Sequence, residues 1–169
     1  IKIVEKIIRE NNFVLAGWRE VPTDQEICGE DALKTLPYIT QAFINPSDKT
    51  NAKDIESKLL VIRRKIEIAI AKTNDDIFYI TSLSSKVILY KGMVMPKHLA
   101  KFYLDLSNEK LETSLCVFHQ RFSTNTTPQW SLAQPFRMLA HNGEINTIRA
   151  NRNWSQARSS IFKTSKIPE

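Results

Sequence analysis

Between Asp54 and Lys72 the chain sets Ile55, Leu59, Ile62, Ile66 and Ala69 at helical spacing, with Lys, Arg and Glu filling many of the positions between. That pattern predicts one long amphipathic helix with an apolar stripe on one side. Such a helix draws most of its stability from tertiary packing, so the rest of the chain must supply an apolar surface for it. Asn51 is placed to cap it, and Asp54 lies in its first turn. Residues 2–10 predict a second helix, with Ile3, Val4, Ile7 and Ile8 on one face and Asn11-Asn12 as its stop. Phe13 to Arg19 reads as a strand, Val21-Pro22-Thr23-Asp24 as a turn, and 30–36 as a short helix ended by Pro37. Tyr38 to Ile44 is extended. Ile77–Leu83 and Val87–Lys91 predict a β-hairpin around Ser84-Ser85. Pro96 opens a helix with Leu99, Phe102, Tyr103 and Leu106 as its stripe. Ser114 to Phe122 predicts a strand apolar on both faces, hence central and covered. Residues 129–134 suit one helical turn, Arg137 to His141 a strand, and Asn146 to Arg158 a polar helix capped by Asn146. Helices mixed with antiparallel-looking strands, without repeats or an internal boundary, give an α+β fold.

The composition excludes several classes. With 42% hydrophobic and 25% charged residues, the 169-residue chain is an ordinary folded protein. No apolar run reaches membrane-span length and no signal peptide is visible, so no membrane partner is expected. Cys28 and Cys116 form no metal spacing, which suits a reducing, cytoplasmic setting. The net charge of +6 and pI near 9.4 raise the question of nucleic acid. The basic residues are scattered, many beside acids, and Arg149, Arg152, Arg158, Lys163 and Lys166 supply much of the excess. Without aromatic-basic interleaving this reads as a solvated or partner-facing surface, and no nucleic acid is expected.

The chemistry concentrates in two polar clusters, H-Q-R-F-S-T-N at 119–125 and H-N-G-E at 141–144, each following a short apolar run. Arg121 offers an always-charged planar fork that suits a carboxylate. Asn142 offers a side-chain N–H, and Gly143 a backbone N–H that a ligand can approach closely because no Cβ intervenes. Two such donors side by side are the parts of an oxyanion hole. A fork for a carboxylate and a hole for a carbonyl describe an amino-acid-sized substrate whose side-chain amide or ester is opened. Each group also has a plainer reading: Arg121 as a surface arginine at a strand end, Asn142-Gly143 as a hairpin turn. His119 and His141 have no carboxylate or cysteine at ligand spacing, and read as structural. Trp18, Trp130 and Trp154 read as packing residues.

Taken together, H-Q-R-F-S-T-N, P-x-W-x-L-A-Q-P-F-R at 128–137, A-H-N-G-E-I-N-T at 140–147 and R-x-N-x-N-W at 149–154 resemble the glutaminase (class II glutamine amidotransferase) domain of glutamate synthase large subunits. G-W-R-x-V-P at 17–22 and F-Y-I-x-S-L-S-S…Y-K-G-M at 78–93 extend the likeness upstream. The resemblance implies the αββα sandwich of N-terminal-nucleophile hydrolases, present here in part. It implies that Arg121 holds the α-carboxylate of glutamine, with Phe122 as pocket wall and Thr124 as hydroxyl donor. It also implies that Asn142 and Gly143 form the oxyanion hole. The family's nucleophile is an N-terminal cysteine whose own amine serves as base. Neither Cys28 nor Cys116 can supply that amine, so both are expected to be structural thiols. The Cys-Gly start is expected upstream of Ile1, and an acidic residue for the substrate amino group downstream of Glu169. Residues 1–169 are thus expected to be one segment of the domain, truncated at both ends and inactive when isolated.

For the parent enzyme the resemblance implies FMN and an iron–sulfur cluster, neither with a site in this segment. It further implies amination of 2-oxoglutarate, an electron-donating subunit or ferredoxin as partner, and a cytoplasmic or plastid location. A glutamine-sensing module without catalysis is the alternative from a different class.

Overall fold

The computed structural model describes residues 1–47, 52–122, 124, 126–135 and 147–161. Among them it is a mixed α and β structure, helices packed with one two-stranded antiparallel sheet. Helix α1 (Lys2–Glu10) runs into strand β1 (Phe13–Glu20) through Asn11 and Asn12. Asn12 takes φ 61°, a left-handed conformation that Asn tolerates better than most residues, and this lets the chain reverse at once. Asn11 helps by donating from Nδ2 to the Ile7 carbonyl at 2.7 Å, closing the last turn of α1.

Strand β1 pairs with β2 (Thr40–Pro46) from Phe13 opposite Pro46 to Glu20 opposite Thr40, with an irregularity between Leu15 and Gly17. Burial alternates along much of β1, as the period of two requires. Helix α2 (Glu30–Lys34) lies between the strands in sequence, and the long helix α3 (Ala52–Ala71) follows them. Val4, Ile7 and Ile8 of α1, Phe13 of β1, and Leu59, Ile62, Ile66 and Ile70 of α3 form one continuous core. The stripe expected on α3 is the one buried, with Ile55 and Ala69 at its margin and Ile70 added to it. On α1, Ile3 stays at the exposed edge of the expected face.

A second core gathers Val21, Ala32, Phe102, Tyr103 and Trp130. It is built from irregular chain. The stripe beginning at Pro96 folds as successive short turns, Pro96–His98, helix α4 (Leu99–Phe102) and Leu104–Ser107. Residues 22–24 bind this run through an isolated bridge between Thr23 and Tyr103, with Asp24 N–H donating to the Phe102 carbonyl at 2.9 Å. Phe102 and Tyr103 meet edge to face at 4.7 Å between ring centroids, and Trp130 tilts against Phe102 at 5.6 Å.

Two expected strand regions take another form. The limbs 77–83 and 87–91 carry no strand pairing, and side chains stitch the turn instead. Glu56 of α3 accepts from the Ser84 hydroxyl and from the Ser85 N–H and hydroxyl at 2.7–2.8 Å. Residues 114–122 are not a buried central strand. Leu115, Val117 and Phe118 are 77%, 55% and 74% exposed, and Cys116 is exposed with them. A strand needs partners for its backbone N–H and C=O groups, and no described residue pairs with this stretch. The strand expected at 137–141, the Asn51 and Asn146 caps, and His141 lie outside the described residues. The polar helix is α5 (Arg149–Arg158), which exposes its whole length, Trp154 included.

Candidate functional site

A cavity of about 220 Å³ opens where the second core meets the first polar cluster. That size suits a small solute and falls below the roughly 300–1,000 Å³ of sites for drug-sized ligands. Three stretches wall it: 88–92 from the limb after Ser84-Ser85, 116–122 from the cluster, and Ala133-Gln134-Pro135. Leu99 and Leu106 close its apolar side.

The wall at 130–135 is held by Trp130. Its ring is buried, and its indole Nε1–H donates to the Ala32 carbonyl at 3.1 Å. The ring lies so close to Gly92 that a Cβ there would stand 2.5 Å from Cζ3. Glycine at 92 is therefore a requirement of this packing, and it joins Y-K-G-M to P-x-W-x-L-A-Q-P at one point. From that same limb the buried Lys91 ammonium donates to the Ser131 carbonyl at 2.7 Å. It sits 5.3 Å from the centroid of the Tyr79 ring. Burial lowers the Lys91 pKa to about 8, and the charge of Arg63 adds to the effect. The Tyr103 hydroxyl donates to the Lys91 carbonyl at 2.7 Å, and its burial raises the phenol pKa strongly.

The limb at 88–92 is also tied to β1. Arg19 of G-W-R-x-V-P pairs with Asp105, and the Tyr90 hydroxyl donates to the same carboxylate at 3.1 Å. Burial, with that carboxylate beside it, raises the Tyr90 pKa. Tyr90 of the upstream motif Y-K-G-M thus belongs to the same cavity lining as residues 119–122.

Arg121 lines the cavity with its side chain exposed at the rim, where an anion can reach it without desolvating a buried pair. Phe122 lines it too and is half-buried. Thr124 lies in an exposed turn and is not among the lining residues. Asn142 and Gly143 lie outside the described residues. His119 lines the cavity. Cys28 is half-buried beside Asp24, and its pKa is raised first by burial and then by that carboxylate, the reverse of an activated thiol. Among the described residues no three His, Cys, Asp or Glu side chains gather as metal ligands. No helix among them is long and apolar enough to cross a membrane. The sequence did not single out Lys91; the signal available was a lysine flanked by Tyr90 and Gly92 at the end of an apolar run.

Comparison with known proteins bears on this arrangement. The pattern of the family described as "Glutamine amidotransferases class-II" matches residues 1–169. Ferredoxin-dependent glutamate synthase 1, chloroplastic/mitochondrial, of Arabidopsis thaliana is 44% identical over 163 residues, 96% of this chain. The glutamate synthase [NADPH] large chain of Azospirillum brasilense is 46% identical over 155 residues, 92% of this chain. The ferredoxin-dependent glutamate synthase of Cyanidium caldarium is 46% identical over 170 residues, 99% of this chain. The chain spans about a tenth of the length of these relatives: 10%, 10% and 11%.

Proposed function

The chain belongs to the class II glutamine amidotransferases, and we propose that it is the part of a glutamate synthase glutaminase domain that grips glutamine while its side-chain amide is cleaved. The observation that carries this reading is Arg121 at the rim of a cavity sized for a small solute, with Phe122 in its wall, inside a segment matched end to end by the family. The guanidinium pairs bidentately with the α-carboxylate of glutamine. The apolar wall, Phe122 and Leu99 among it, lies along the methylenes, and Thr124 donates its hydroxyl from the adjoining turn. Asn142 and Gly143 donate to the side-chain carbonyl oxygen as a nucleophile adds, so their bonds strengthen as charge develops.

The nucleophile in this proposal is an N-terminal cysteine of the parent chain, not Cys28 or Cys116. Its sulfur adds to the amide carbon and ammonia leaves. Water then cleaves the thioester to glutamate. The complete domain is proposed to be the αββα sandwich, with residues 1–169 one segment of it. In the parent chain the ammonia aminates 2-oxoglutarate, and FMN and an iron–sulfur cluster supply the redox chemistry from residues other than these. Names among the relatives put either ferredoxin or NADPH as electron source, and both remain partners for the parent. A cytoplasmic or plastid setting fits the proposal.

The test is glutaminase kinetics of the parent chain beginning at its cysteine. Arg121→Ala should raise KM by roughly 100-fold with kcat nearly kept, the loss of a charge-assisted pair. Asn142→Ala should lower kcat by roughly 100-fold with KM nearly kept. Kinetics unchanged in both variants would overturn the assigned roles. Glutamine binding without turnover in the intact parent would point to the sensing module.

A further inference from the structure

Lys91 is the charged residue buried among the described residues, at 6% exposure. An ammonium in that position gives up hydration, and an apolar side chain of similar volume is often as stable or more so. Stability alone therefore does not account for a lysine here. Its bond does: Nζ meets the carbonyl of Ser131, inside the single short turn Trp130–Leu132, where a helix ladder runs out of donors. Its neighbour Gly92 takes the Trp130 ring, and its own carbonyl takes the Tyr103 hydroxyl. Two other stretches of chain, at 103 and at 130–132, thus meet the limb that carries Lys91. One of them continues through Ala133, Gln134 and Pro135, which line the same cavity as Arg121 and Phe122.

We infer that Lys91 is a positioning residue for glutamine: by fastening the Ser131 carbonyl it sets the width of the cavity between the Gln134-Pro135 wall and the Arg121-Phe122 wall. This rests on the reading of the cavity as the glutamine pocket. Lys91 does not need to touch the substrate. Its removal lets the 131–135 wall relax, so the ligand must spend binding energy on ordering it, and affinity falls while the chemical step keeps its groups.

The experiment compares Lys91→Met, Lys91→Gln, Lys91→Arg and Arg121→Ala in the full parent enzyme, by glutaminase kinetics and thermal unfolding. Met fills the volume without a donor, and Gln keeps a donor without the charge. The expected result is a glutamine KM raised about 10-fold in Lys91→Met, with kcat within about twofold and partial recovery in Lys91→Arg. Arg121→Ala separates the two layers of the argument. If it raises KM while Lys91→Met and Lys91→Gln leave KM within about twofold, the inference falls and the pocket assignment stands. If Arg121→Ala leaves KM unchanged, the pocket assignment falls and the inference with it. Losses of activity in the Lys91 variants that only track the unfolded fraction would make Lys91 a purely structural residue and overturn the inference.

Discussion

The two cores of this molecule are made of different materials. The first is aliphatic and regular, with α1 and α3 packed against the β1–β2 sheet through Ile, Leu, Val and a single Phe. The second is aromatic and irregular, Phe102, Tyr103 and Trp130 set in short turns and pinned by hydrogen bonds from an indole, a phenol and a buried ammonium. Non-directional burial suffices for the first, because helices and strands satisfy their own backbone. The second has little regular ladder, so side chains must satisfy the main chain, and two of these bonds engage Lys91, which lines the cavity. The lesson is a division of labour: damage to the first core should cost stability alone, and damage to the second should cost stability and substrate affinity together.

The comparison breaks most visibly at its largest residues. Trp130→Ala should destabilise by about 3–5 kcal/mol and raise the glutamine KM, since the ring carries the 130–135 wall. Chemical denaturation with kinetics on the surviving folded fraction checks both. Ile62→Ala, fully buried in the first core, should cost about 2–5 kcal/mol and leave KM where it was. A shifted KM in Ile62→Ala would erase the distinction between the cores. Gly92→Ala should cost about 1–3 kcal/mol, because the new methyl must displace the Trp130 ring. Tyr103→Phe removes the donor to the Lys91 carbonyl, and should cost about 1–2 kcal/mol by the same denaturation assay.

The smallest effect is a pH dependence. The Lys91 pKa falls from 10.5 in the unfolded chain to about 8 in the fold. Between those values the unfolded state binds more protons, so this group makes stability rise as pH increases through about 8 and adds no slope below it. Raised Tyr79, Tyr90 and Tyr103 act in the opposite direction only above their ordinary value of 10. Unfolding midpoints from pH 7 to 10 should therefore climb more in the wild type than in Lys91→Met. Equal slopes would mean that the ammonium is not buried as described.

The same contrast governs what the sequence could reveal. The α3 stripe and the β1 alternation are periodic, and that period is written in the sequence wherever the packing partner lies, so both were legible. The stretch 114–122 has a strand's composition, yet no described residue supplies its hydrogen-bonding partner, and composition alone cannot provide one. The hairpin expected around Ser84-Ser85 failed for a related reason: the Glu56 carboxylate of α3, which no local pattern points to, satisfies that turn. At the site, Arg121 stood out by residue type and Phe122 through the family resemblance, and both line the cavity. Lys91 was not found, because a lysine in an apolar stretch gives no local hint that its ammonium will reach the Ser131 carbonyl forty residues on.

The central claim is that Arg121 and the Asn142-Gly143 pair grip opposite ends of one glutamine. The most direct measurement is a crystal structure of the parent enzyme with its product glutamate bound. The account predicts the α-carboxylate on the Arg121 guanidinium and the side-chain carboxyl at the Asn142 amide and Gly143 N–H. Glutamate bound away from Arg121, or with the two sets of donors too far apart for one ligand to bridge, would contradict it.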